Sequence, residues 1–240
     1  MTARYATLCK GCWQQMHMPV PLSGVLAAPL RAFGIRRSKM NPNLCTICEI
    51  MFERTMKARS ITLEATILFA DLRSYTKLSQ SMSAEAMTGV LDSFYDTCAA
   101  AIWRHDGLLN KTIGDAVMAI FNFPVRHADH ARHAVLAARE MQEAFAATRA
   151  EFAAADTEFG VGIGIDTGKL AFGEFGRSHR DLTAIGTVVN TAARSQSAAK
   201  PGQILVTRSV LEAAQADIDA SKAADYELKG FDTPVTLYEA

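Results

Sequence analysis

The sequence predicts an α+β fold, a mixed sheet covered by helices and preceded by a small cysteine-rich module. Three observations carry that expectation. From about residue 60 onward, strand-like and helix-like patterns alternate along the chain. Four of the five cysteines and four of the seven prolines fall before that point. Charge divides there too: residues 1–60 hold nine Lys/Arg against two Asp/Glu, and residues 61–240 hold sixteen against twenty-three. A formal net charge of zero thus conceals +7 in the first part and −7 in the second. The expected division is residues 1–60, a metal-binding module with a linker helix, and residues 61–240, a catalytic domain. The basic part has an acidic surface to meet, on the same chain or on a second copy.

Each element has its own signal. Cys48–Arg59 is helical and joins the two parts. Thr62–Ala70 is a strand. Ala84–Arg104 is a helix capped by Ser83, with Met87, Leu91, Phe94, Cys98 and Ile102 along one apolar stripe. Leu108–Ile113 and Ala116–Phe121 flank Gly114-Asp115, a dipeptide suited to a tight hairpin turn. A long helix follows over 128–152. Phe159–Ile165 and Leu170–Glu174 read as a strand pair around Asp166-Thr167-Gly168. A helix over 188–198, strand Ile204–Thr207, helix 208–216 and strands near Tyr226–Leu228 and Val235–Tyr238 close the chain.

Two aspartates are the first chemical candidates. Asp71 follows the apolar run Thr66–Ala70, and Asp115 sits in the turn between two apolar runs. Carboxylates at neighbouring strand ends can converge on hard divalent cations, which take oxygen ligands and leave positions open for phosphate. Taken singly, each reads more readily as a turn acid.

Further motifs decide between the two readings. Phe69-Ala70-Asp71-Leu72, Lys111-Thr112-Ile113-Gly114-Asp115, Gly162-Ile163-Gly164-Ile165-Asp166-Thr167-Gly168, Gly186-Thr187-Val188-Val189-Asn190-Thr191-Ala192-Ala193-Arg194 and Leu228-Lys229-Gly230 occur in that order. Residues 62–240 thereby resemble the class III nucleotidyl cyclase catalytic domain, the family of adenylyl and guanylyl cyclases.

The resemblance implies a ferredoxin-like, palm-type sheet, antiparallel-rich and covered by helices. It also implies conversion of ATP to 3′,5′-cyclic AMP and pyrophosphate, a phosphoryl transfer that depends on positioning and charge stabilisation. Asp71, Asp115 and Leu72 would hold two Mg²⁺ or Mn²⁺ ions. The backbone of Leu72, Arg73, Ser74, Tyr75 and Thr76 would cradle the phosphates. Asn190 and Arg194, four apart on one helix face, would orient the ribose and stabilise charge on the α-phosphate. Lys229 would bind the terminal phosphates.

Lys111 and Thr183, with Ala184 beside it, would read the purine. A lysine can donate to adenine N1, and threonine can accept from the adenine amino group. Thr183 stands where many adenylyl cyclases have aspartate, so ATP is favoured with GTP left open. Gln203 replaces a basic pyrophosphate contact of some members. The resemblance further implies a homodimer with two composite sites, and an arm over Phe175–Asp181 that reaches the partner. A catalytically silent nucleotide-binding regulator is the alternative from another class; a diguanylate cyclase would need a Gly-Gly-Asp/Glu-Glu-Phe loop, which the sequence lacks.

Cys9-x-x-Cys12 and Cys45-x-x-Cys48 offer four thiolates to one metal. Zinc is the first reading, with an iron–sulfur cluster or unligated cysteines as alternatives. Such a module could regulate the catalytic part through the Cys48–Arg59 helix. Cys98 reads as a core thiol. His127, His130 and His133 read as a solvated helix face, and Trp13 and Met16 as fillers of the small core.

The basic cluster Arg31, Arg36, Arg37 and Lys39 reads as a solvated loop and not a nucleic-acid surface. The longest apolar stretch, Leu22 to Ile35, is short and broken by Pro29 and Arg31, so no transmembrane segment is expected. Without a basic segment leading an apolar core there is no secretory signal, and the expected location is cytoplasmic.

Overall fold

A computed structural model describes residues 5–75, 79–80, 82–152, 159–176, 181–215 and 218–240. The first part contributes three helices: α1 (Lys10–Met16), α2 (Ala27–Ala32) and α3 (Thr46–Ala58). Next come β1 (Ile61–Arg73), α4 (Ala84–Arg104), the hairpin β2 (Leu108–Ile113) and β3 (Ala116–Phe121), and α5 (His130–Phe152). Then follow β4 (Gly160–Phe175), β5 (Asp181–Ile185), α6 (Thr187–Ala198), β6 (Ile204–Thr207) and α7 (Arg208–Ala214). A 3₁₀ turn at Ala220–Lys222 leads to β7 (Ala223–Tyr226) and β8 (Val235–Glu239).

The strands form one sheet in the order β2-β3-β1-β4-β6-β8-β7, with β5 paired to the second half of β4. All pairings are antiparallel except β4 with β6. Alternation along β1 sets the two layers. Leu68, Ala70 and Leu72 face a core shared with α4, α5 and α7, including Phe94, Met141 and Val210. Ile67 and Phe69 face the other side, where Val188 and Ala192 of α6 and Met56 of α3 cover them. Complete burial of side chains such as Phe94, Phe121 and Phe172 stabilises the layers by about 1.5–3 kcal/mol each.

The local signals explain most boundaries. Ser83 Oγ accepts from the Ala86 N–H at 3.2 Å and starts α4 as its side chain requires. Gly114 adopts φ +60° in the β2–β3 turn, a conformation that favours glycine. Cys98 is buried, and burial pushes its thiol pKa up.

Four expectations change. Residues 160–175 are one continuous strand, not a pair around Asp166–Gly168. β1 runs unbroken beside it from Ile61↔Phe172 to Arg73↔Gly160, and Asp166 is satisfied inside the sheet. Its carboxylate accepts from Thr207 Oγ1 at 2.6 Å and from the Thr167 N–H at 2.8 Å. β1 also continues two residues past Asp71, so that acid lies within a strand rather than at its end.

The histidines do not form a solvated face. His130 is buried with Nδ1 2.8 Å from Thr66 Oγ1, and His127 Nε2 lies 2.9 Å from Asp106. Finally, Trp13 and Met16 stand 52% and 49% exposed, so they do not fill the small core. That core consists of the four N-terminal cysteines with Leu22, Leu44 and Val125. Strand β5 was not anticipated from the sequence.

Candidate active site and cysteine cluster

Asp71 shares a sheet face with Ile67 and Phe69, toward α6. It sits opposite Ala116 of β3, and the Leu72 N–H donates to the Asp115 carbonyl at 3.1 Å. The two acids therefore adjoin across β1 and the β2–β3 turn. Tyr95 Oη of α4 donates to the Gly114 carbonyl and fixes that turn. Burial first, and then the charge of Asp115, raises the Asp71 pKa above the ordinary carboxylate range, against the pull of Arg73.

Arg73 enters a space that only glycine leaves open: a Cβ on Gly162 would collide with its guanidinium. Arg73 Nη2 donates to the Gln196 carbonyl of α6, while Arg73 Nε is buried without a hydrogen-bond partner among the described residues and the Gln196 side chain favours the charged form of Asp71. Two residues along β4, a Cβ on Gly164 would overlap the Gln196 N and Ala192 O atoms. Gly162 and Gly164 thus let α6 lie directly on the sheet.

One N–H of the expected phosphate cradle is taken within the chain. Leu72 N–H is already committed to Asp115. Ser74 takes φ +62° and turns the chain after Arg73, Tyr75 follows, and Thr76 lies outside the described residues.

Asn190 and Arg194 are exposed on α6, and neither side chain has a hydrogen bond or ion pair among the described residues. Lys229 is likewise exposed and unpaired among them. Lys111 of β2 instead forms an ion pair with Asp181 of β5, and Asn110 Nδ2 donates to the Leu182 carbonyl at 3.1 Å. Thr183 lies two residues beyond Asp181 on the same side of β5. Ala184 pairs with Phe172 and its side chain is buried in the core, which leaves only its backbone for a ligand. Asp181 was not singled out from sequence, where strand β5 went unread. The arm over Phe175–Asp181 falls partly on residues 177–180, which lie outside the described residues.

The four N-terminal cysteines meet at one point. Cys9 and Cys48 Sγ lie 3.7 Å apart, Cys12 and Cys45 3.6 Å, and Cys12 and Cys48 3.5 Å. All four sulfurs lie within 4.8 Å of one another, and none forms a disulfide. A tetrahedral ion with metal–sulfur bonds of about 2.3 Å requires sulfur separations of about 3.8 Å. This spacing suits a single ion; a multi-iron cluster would need its ligands held farther apart.

Backbone N–H groups of Cys12 and Cys45 point at Cys9 Sγ, at 3.4 and 3.2 Å. A Cβ on Gly11 would sit 2.9 Å from Cys48 Sγ, so glycine is needed there for close approach. Hydrogen bonds from Cys48 and Cys9 pull the Cys45 thiol down to about 2. Burial pushes Cys12 up to about 12, and hydrogen bonds to Cys45 and Cys9 push Cys48 up. The thiolate form is thus favoured at Cys45 and the thiol form at Cys12 and Cys48, an imbalance that a divalent cation would relieve.

The cysteine unit is anchored to the α4–β2 turn. Lys10 pairs with Asp106, Asn43 Nδ2 donates to Asp106 Oδ1 at 2.7 Å, and Asn41 Nδ2 donates to the Gly107 carbonyl at 2.8 Å. Basic and acidic parts therefore meet within one chain.

Residues 58–239 match the adenylate and guanylate cyclase catalytic domain. The chain belongs to that family. Adenylate cyclase 1 of Rhizobium meliloti (strain 1021) is 31% identical over 182 residues, which cover 73% of this chain and 27% of that one. The adenylate cyclase of Anabaena cylindrica is 31% identical over 186 residues, covering 74% of this chain and 37% of the relative. The chain thus spans about a third of the length of these relatives, or less.

Among solved structures, the guanylyl cyclase Cya2 superposes with a TM-score of 0.68 at 28% identity, covering 75% of this chain and 92% of Cya2. The adenylyl cyclase CyaB from P. aeruginosa gives 0.67 at 29%, with 75% and 95% covered. The shared region is the α+β sheet with its helices, and the cysteine unit precedes it. No helix among the described residues is long and apolar enough to cross a membrane.

Proposed function

We propose that the protein is an adenylyl cyclase that works as a homodimer, each of its two sites assembled from both protomers. One observation carries this reading. Within one chain, Asp71 and Asp115 adjoin, with Arg73 and the Gln196 side chain favouring the charged form of Asp71, while Asn190, Arg194 and Lys229 stand exposed without partners among the described residues. Each set has the chemistry the other lacks, and a twofold axis can bring them together.

In the reaction, the ribose 3′-oxygen bonds to the α-phosphorus, the bond from that phosphorus to the β-bridging oxygen breaks, and pyrophosphate and a proton leave. Asp71, Asp115 and the Leu72 carbonyl would hold two Mg²⁺ or Mn²⁺ ions, which supply Lewis acidity toward the hydroxyl and the triphosphate. The fit rests on the donor set: two half-buried carboxylates, one with a raised pKa, beside an unpartnered Arg73 Nε. Asn190 orients the ribose. Arg194, permanently charged, meets the charge developing on the α-phosphate. Lys229 and the backbone at Arg73–Tyr75 hold the remaining phosphates.

Lys111 donates to adenine N1, with its ammonium positioned by Asp181, and Thr183 accepts from the amino group. A second reading, use of GTP, draws on Asp181: its carboxylate beside the purine position can accept from guanine N1–H. Incubating purified protein with Mn²⁺ and equal ATP or GTP distinguishes the two. Cyclic AMP as the main product is expected; preferential formation of cyclic GMP would overturn the Lys111 assignment, and no product from either would overturn the enzymatic reading.

Residues 1–60 form, in this proposal, a zinc unit that regulates the catalytic part, residues 61–240. Cys9, Cys12, Cys45 and Cys48 would hold one Zn²⁺, whose four bonds fix α1 against the start of α3. From there α3 runs past a cavity of about 190 Å³ bordered by Phe52, Met56, Leu108, Asn110 and Leu182. That cavity adjoins the strands carrying Lys111 and Thr183, so a shift of α3 would reach the purine-reading residues.

A further inference from the structure

The first acidic residue of the chain is Glu49; before it lie six Lys/Arg and no Asp or Glu. Two of these cations are used internally. Lys10 pairs with Asp106, and Arg37 donates to the Pro42 carbonyl at 2.6 Å and lies over the Tyr5 ring. Arg31, Arg36 and Lys39 are exposed, and among the described residues their side chains have no acidic partner.

Beside them the chain makes an outward tip between Gly24 and Gly34, with φ of +82° and +79° at those two glycines. Val25, Leu26 and Phe33 flank the short helix α2 at 88%, 77% and 84% exposure, beyond any other large apolar side chain described. Ala28, Pro29 and Ala32 are exposed between them. The inner side of the tip is fixed. Ala27 is buried, Ile35 packs on the cysteine core, and the Thr46 hydroxyl donates to the Gly34 carbonyl at 2.9 Å. The exposed apolar surface is therefore held in place by the residues that also hold the metal-ligand cluster.

We infer that this tip docks the protein onto an anionic lipid bilayer. Val25, Leu26 and Phe33 enter the boundary between headgroups and acyl chains, while Arg31, Arg36 and Lys39 meet the headgroup phosphates. Charge complementarity selects the occupant, because three cations whose side chains lack acidic partners among the described residues, with only Glu49 close by at the Lys39 N–H, are drawn to a negatively charged surface. The apolar residues select the bilayer over nucleic acid, whose phosphates would leave Val25 and Leu26 in water. The attachment is peripheral and does not depend on the cyclase reading. Near an anionic surface each cation strengthens binding about fivefold, and the apolar contribution resists salt.

Flotation of the full chain, loaded with zinc, with phosphatidylcholine vesicles lacking or containing phosphatidylglycerol tests this. Wild type is expected to float with the anionic vesicles and to remain largely free with the neutral ones. Arg31→Gln with Arg36→Gln should weaken binding about 25-fold, as expected for two cations. Leu26→Ser with Phe33→Ser should leave only binding that added salt abolishes. All four positions are exposed, so circular dichroism and cyclase turnover without vesicles should match wild type. Failure to bind anionic vesicles, equal flotation of the variants, or capture by duplex DNA in place of vesicles would each overturn the inference.

Discussion

At Asp71, stability and chemistry pull in opposite directions. Burial and the adjoining Asp115 raise its pKa, so folding favours the protonated acid. That contribution is fully present below the pKa of an unfolded aspartate and is lost as pH rises through the raised folded value. Asp71→Asn should therefore unfold at higher denaturant concentration than wild type at pH 7, with the gap closing toward acid pH. Its turnover should fall about a hundredfold or more. Denaturation curves at several pH values, paired with a cyclase assay, check both parts; an Asn variant less stable than wild type at neutral pH would contradict the assignment.

Arg194 presents the opposite case, since nothing described in its own chain depends on its charge. Arg194→Ala should retain wild-type stability while kcat falls about a hundred- to a thousandfold, read by thermal melts and steady-state kinetics. Asp71, Asp115, Asn190 and Arg194 were singled out in sequence because their flanking residues form ordered motifs. Asp181 was not, because its partnership with Lys111 joins strands about seventy residues apart. The side-chain role of Arg73 was hidden for the same reason: only the folded chain brings it to Gly162 and the end of α6.

Among the elements, α6 and β4 determine whether the site can form. Gly164 lets the helix backbone approach the strand, and Asn190 and Arg194 are set by that approach. Gly164→Ala should cost about 1–3 kcal/mol through overpacking and also lower kcat by displacing α6. Denaturation together with kinetics tests this; loss of stability with unchanged kcat would show that helix position does not control the site. Elements with strong local signals, such as α4 behind Ser83 and the β2–β3 hairpin around Gly114, were readable with their limits. β4 was misread because Asp166-Thr167-Gly168 has turn composition. A long-range partner, Thr207, holds Asp166 inside a continuous strand instead.

On the scale of the whole molecule, the cysteine unit is held by its own four-sulfur centre and by Asp106, which receives both Lys10 and Asn43. Removing zinc with a chelator, or substituting Cys45→Ser, should release α1 and the start of α3 and lower the thermal midpoint, since metal affinity is then part of folding stability. Metal analysis should return one zinc per chain in wild type. Wild-type melting and activity in the Cys45→Ser variant would remove the regulatory role.

The sequence could announce four thiols in two pairs, but not that Gly11 would let the pairs close on each other. The sheet with its helices was legible from alternating patterns. Docking of the basic part on the α4–β2 turn was not, because charge totals do not say which surfaces meet.

In the proposed dimer two copies share each site, with acids from one and the amide and guanidinium from the other. This sharing is tested most directly by mixing two inactive proteins, one lacking Asp71 and Asp115, the other lacking Asn190 and Arg194. Restored cyclic AMP synthesis is predicted, because each mixed dimer regains one complete site. A mixture that forms dimers yet remains inactive would contradict the account.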